Sequence, residues 1–181
     1  MSYTFSRRAF LKYSAATAVA VAGASLLGGC EYKDPNNPVC KSLPGTIRSD
    51  LQVNAEVKSM KIVNDGTCTV EMNIISGRTN PIPLDPYRFS IAVKNAEGKQ
   101  VYFSGNYGGM KMPDAPGSLI QQNKAVSLHL AAESFPDLDD GYTVLFKYIP
   151  IRENSEYSLN WEITKEVYDK ALADSTTGSE G

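Results

Sequence analysis

From Leu51 onward the chain alternates. Leu51, Val53, Ala55 and Val57 fall on one face of an extended backbone, with Gln52, Asn54, Glu56 and Lys58 on the other. That two-residue period is the signature of a half-buried β-strand. At Ser59 the phase slips and Met60 and Ile62 take over the inward positions, which predicts a bulge. Asn64-Asp65-Gly66 supplies the positive-φ residues of a tight turn, and Cys68, Val70, Met72 and Ile74 return as the second strand of a hairpin.

The pattern continues. Phe89, Ile91 and Val93 form a strand that Asn95-Ala96-Glu97-Gly98 turns into another, Gln100 to Ser104. Val126, Leu128 and Leu130 mark the next, and Gly141 to Tyr148, apolar on both faces, reads as a central strand. Tyr157, Leu159, Trp161 and Ile163 complete the set. Residues 77–86 carry Pro81, Pro83 and Pro86 and read as a loop. Only a short helix over Lys165 to Ala173 has helical character, and Ser175 to Gly181 has the composition of a disordered tail. Seven or eight short strands with turns between them predict an all-β fold, an antiparallel immunoglobulin-like β-sandwich after an N-terminal signal helix. The expected division is a signal over 1–30, a tether and lead-in over 31–50, the sandwich over 51–165, and a short helix with a tail over 166–181.

The N-terminus has its own logic. Arg7 and Arg8 are adjacent, Phe10 and Leu11 follow, and Lys12 closes a basic end. From Tyr13 to Gly29 there are 17 residues without a charge, rich in Ala and Gly, where a membrane span needs about 20 strongly apolar ones. This arrangement resembles a twin-arginine export signal, which implies the pathway that moves folded proteins. Leu27-Gly28-Gly29-Cys30 resembles the lipobox of bacterial lipoproteins, which implies that Cys30 carries the lipid and becomes the first mature residue. Several acyl chains give a stable tether where one is marginal. Glu31 stands where an aspartate would be the inner-membrane retention cue, so the resemblance leans to the outer membrane. The segments Asn80-Pro81-Ile82-Pro83-Leu84, Phe89-Ser90-Ile91-Ala92-Val93, Gly98-Lys99-Gln100-Val101-Tyr102 and Gly141-Tyr142-Thr143-Val144 resemble the small sandwich domains of bacterial lipoproteins and BsuPI-type proteinase inhibitors. That likeness covers about half the chain and carries over no inhibitory residue.

Charge narrows the partners. All 20 acidic residues lie beyond Cys30, while removal of Arg7, Arg8 and Lys12 leaves 15 of the 18 basic ones there. An acidic mature chain without clustered Lys and Arg argues against nucleic acid and against a polybasic grip on anionic lipid. The expected partners are the membrane through the lipid, the export machinery and an envelope protein.

No motif states a chemistry. Serines occur, but none in Gly-x-Ser-x-Gly, and His129 is the single histidine for any triad. A non-catalytic binding or accessory lipoprotein without a cofactor is the first expectation. A copper-binding lipoprotein is the second, with Met110 and Met112 as soft thioethers and His129 as the imidazole. A small hydrolase comes third. The binding surface is expected on the longest irregular stretch, Gly105 to Gly117, through Tyr107, Met110 and Met112. Exposed Tyr102 and Tyr107 suit a sugar-stacking platform or rim packing. Asp137-Leu138-Asp139-Asp140-Gly141 suits a calcium loop less well than a turn. Cys40 and Cys68, the thiols left once Cys30 is lipidated, are expected to form a disulfide.

Overall fold

The structure is a computed structural model that describes residues 34, 36–63, 65–105, 109–113, 119–151 and 157–177. The signal segment, its lipobox and Tyr107 lie outside these residues. The strands, in chain order, are β1 (Val39–Cys40), β2 (Gly45–Arg48), β3 (Val53–Val63), β4 (Thr67–Ser76), β5 (Ile82–Pro83) and β6 (Phe89–Lys94). They continue with β7 (Gln100–Gly105), β8 (Leu119–Ile120), β9 (Ala125–Ala132), β10 (Thr143–Tyr148) and β11 (Leu159–Thr164), followed by the helix α1 (Lys165–Thr177).

Two sheets pack face to face. One runs β1-β11-β10-β6-β7 and the other β2-β3-β4-β9, while β5 and β8 form a short ribbon. The chain makes the β3–β4 hairpin, crosses for β6–β7, returns for β9, and crosses again for β10–β11. The resulting orders, β3-β4-β9 against β11-β10-β6, follow the immunoglobulin-like Greek key. The fold is an all-β sandwich, as the alternation predicts. β10 is central in its sheet, and the expected bulge is present as a register shift between Val57 and Ser59.

Alternate residues of both sheets meet in one core. Phe89, Phe146, Tyr148 and Trp161 line the five-stranded side, and Val70, Met72, Leu128 and Leu130 the other. Phe89 stacks on Tyr148 at 4.8 Å between ring centroids, and Phe146 meets Trp161 at 5.6 Å. The one polar atom of Trp161 is satisfied, since Nε1 donates to the Gly45 carbonyl at 2.8 Å. Beyond β11, α1 docks against the end of β3, where the Ile62 amide donates to the Tyr168 hydroxyl at 3.1 Å.

Three expectations need correction. Of the expected tether and lead-in over 31–50, residues 36–50 are not free: Asn36 and Pro38 carbonyls accept from the Ser158 and Asn160 amides, and β1 and β2 extend both sheets. Cys40, Leu43 and Ile47 consequently lie in the core. The described strands exceed seven or eight, because β1 and β2 complete the sheet edges and β5, inside the expected loop over 77–86, pairs with β8 in a ribbon of its own. The helix outlasts its expected end and runs through Thr177, with Ser175 Oγ donating to the Leu172 carbonyl at 2.7 Å. No described helix is long and apolar enough to cross a membrane.

Candidate functional site

The loop expected to carry recognition is tied down where the structure describes it. Gly109 has φ +62°, and a Cβ there would lie 2.8 Å from Cβ of Pro86, so its backbone presses onto the chain before β6. Lys111 pairs with Ala131 in both directions, its amide donating at 3.0 Å and its carbonyl accepting at 2.8 Å. Lys111 also forms an ion pair with Glu133. This segment therefore lies along the outer edge of β9. Opposed residues of an antiparallel pair share a face, so Met110 and Met112 turn inward with Ala132 and Leu130. Met110 is 1% exposed and belongs to the core, with Met112 packed against it.

His129 points the other way. It alternates with buried Leu128 and Leu130 and is exposed on the outer face, opposite Glu71. The three ligands proposed for copper are thus divided between two faces of one sheet. They do not form a site in this structure. No group of three or more His, Cys, Asp or Glu side chains that could hold a metal occurs among the described residues.

The Cys40–Cys68 disulfide is not formed, and both side chains are buried thiols. Cys40 lies beside Gly45, with its Sγ 3.3 Å from Ser42 Oγ. The register carries Gly45 across Val57 to Met72, whereas Cys68 sits four residues farther along β4, about 13 Å at the strand rise. A disulfide needs Cα atoms within about 7 Å. Burial pushes the Cys68 thiol up to about 12, which leaves it an inert core group.

Tyr102 is rim packing, not a platform. Its ring meets Phe135 edge-on at 5.0 Å and its hydroxyl donates to the Glu133 carbonyl at 2.5 Å. In the run 137–141, Asp139 to Tyr142 make a turn closed by the Tyr142 amide on the Asp139 carbonyl. Buried Arg88 spans the start of β6 and the end of β10, donating through Nη1 to the Ile149 and Pro150 carbonyls at 3.3 and 2.8 Å. A shallow hollow of about 470 Å³ between residues 50–52 and 78–80 is lined by Asp50, Leu51, Gln52, Arg78, Thr79 and Asn80. It contains none of the expected site residues.

The surface that stands out is the outer face of the five-stranded sheet at β7. Register places Phe103, Ala92 and Leu145 side by side across β7, β6 and β10. Phe103 is 43% exposed and Val101, beside it on β7, 47%. Ala92 points outward yet is only 7% exposed, because its two large neighbours flank it. Lys94 lies one row to one side of this apolar row and Lys147 one row to the other, with Lys99 in the turn before β7. None of the three lysines is in an ion pair among the described residues. The acidic groups nearby are Glu162, opposite Leu145 on β11, Glu97 in the turn, and Asp139 and Asp140, which precede Gly141 where it packs against Ala96 of that turn, with Asp140 3.9 Å from Lys165. β7 ends its sheet, and among the described residues its far backbone edge meets no other strand. A readable signal for this face existed: Val101-Tyr102-Phe103 places apolar residues on both sides of one strand.

No protein-family model matches the chain, and no curated protein matches it in sequence. Among solved structures it is similar to ycdA of Bacillus subtilis subsp. subtilis str. 168, described as a candidate lipoprotein, with 18% identity and a TM-score of 0.45. That match covers 75% of this chain and 42% of ycdA, so the chain spans less than half of that protein's length. It is also similar to the yjhA protein of Bacillus subtilis, with 13% identity and a TM-score of 0.44, over 68% of this chain and 98% of yjhA.

Proposed function

We propose that the chain is an exported, lipid-anchored sandwich that serves as a non-catalytic binding or accessory lipoprotein, facing the periplasm or the cell surface. The observation that carries this reading is the β7 face, where Val101 and Phe103 stay open to solvent on an otherwise well-packed domain, flanked by lysines that form no ion pair among the described residues. Exposed contiguous apolar surface rimmed by polar groups is the usual mark of an interaction site. The paired arginines and the Leu27-Gly28-Gly29-Cys30 segment support delivery and anchoring.

Anchoring and binding are tested separately. Replacing Cys30 with Ala is expected to abolish incorporation of labelled fatty acid and to release the exported chain from the membrane fraction. Replacing Arg7 and Arg8 with Lys is expected to leave precursor in the cytoplasm, because a guanidinium pair is not equivalent to two ammonium groups. Acylation that survives Cys30→Ala would overturn the anchoring. Normal export of the double lysine variant would overturn the route.

A further inference from the structure

We infer that the outer face of β7, with Val101 and Phe103 between Lys94, Lys99 and Lys147, docks an acidic segment of an envelope protein that carries apolar side chains. This deepens the binding role proposed above and rests on it.

Charge complementarity selects the partner. Beyond Cys30 the chain is acidic, with 20 acidic against 15 basic residues, yet this face gathers three lysines that form no ion pair among the described residues. Lys94 and Lys147 point outward on opposite sides of the Phe103, Ala92 and Leu145 row. A segment laid on that row would place apolar side chains against Phe103 and acids against the lysines. Such lysines steer encounter and fix register, while the apolar row supplies the area that leaves water. Among the described residues no strand pairs with the edge from Tyr102 to Gly105. A bulge at Val101, extra on β7 between the Lys94–Gln100 and Val93–Tyr102 pairs, blunts only its first turn of pairing.

Tether length favours a protein over the bilayer. Asp34 is the first described residue, and four residues from Cys30 reach at most about 14 Å even when fully extended. Lipid on Cys30 therefore holds the β1 side of the sheet near the membrane. β7 is the opposite edge of the same sheet, four strand spacings or about 19 Å away. That edge is placed to meet another envelope protein.

The test uses the full lipidated chain in phosphatidylcholine nanodiscs and two fluorescein-labelled peptides, one alternating Glu with Val and one alternating Lys with Val. Fluorescence anisotropy is expected to show binding of the glutamate peptide only, weakening as salt rises. Phe103→Ser and the double variant Lys94→Glu/Lys147→Glu are each expected to weaken it at least tenfold with unchanged melting temperature. Equal binding of both peptides, no binding of either, or binding indifferent to these substitutions would overturn the inference. Two further outcomes would reassign the face. Capture of phosphatidylglycerol vesicles lost in the same variants would assign it to lipid, and self-association lost in them would assign it to a second copy. An envelope partner retained by Phe103→Ser would sink this surface while leaving the accessory role standing. Acylation of Cys30→Ala would sink the anchoring whatever the peptides do.

Discussion

Met110 shows how one side chain separates a binding loop from a core. Its exposure is 1%, and the Lys111–Ala131 pairing fixes which way it points. Truncating a buried methionine removes both its transfer energy and its contacts, at about 2 to 5 kcal/mol. Met110→Ala is accordingly expected to lower the unfolding free energy by that amount, read as a lower urea midpoint at unchanged slope, and a change within about 0.5 kcal/mol would show that the segment is surface. Met-Lys-Met placed the two sulfurs on one face, which was legible from spacing. Which face was not, because Gly108, Gly109 and Pro113 mask the strand-like run that borders β9. His129 was legible for the opposite reason, since Val126, Leu128 and Leu130 fix the alternation around it.

Among the elements, β1 and β2 were the hardest to read. Strands of two and four residues are too short for a period to show, and Pro38, Pro44 and Gly45 look like punctuation. Their role appears only in space. Gly45 lies where β2 approaches Cys40 closely: a Cβ there would sit 2.4 Å from the Ser42 carbonyl oxygen and 2.7 Å from the Cys40 sulfur. The same residue's carbonyl accepts the Trp161 indole. Gly45→Ala is therefore expected to destabilise the domain by about 1 to 3 kcal/mol through overpacking against backbone. Trp161 fluorescence should shift as well, because its hydrogen bond must move with β2. A variant with wild-type melting temperature and emission would show that this corner yields freely. The long strands needed no such help, since β3, β4 and β9 declare themselves by alternation over many residues.

At the scale of the molecule, local pattern yields the class of fold but not which strands are neighbours. Alternation says that Trp161 and Phe146 face inward; only the closed sandwich brings Cys40 alongside Trp161 in parallel register. The expected domain boundary at Leu51 failed on that point, because pairing between β1 and β11 joins segments with most of the domain between them. A chain beginning at Leu51 would lose Cys40, Leu43 and Ile47 from the core, the outer partners of β3 and β11, and the acceptor for Trp161 Nε1. One beginning at Asp34 retains them all. The longer chain is expected to unfold in a single cooperative transition, and the shorter to show no sharp transition and to bind a dye for exposed apolar surface. Matching melting curves for the two would mean that residues 34–50 are the tether their composition suggests and that β1 and β2 only lean on a domain complete without them.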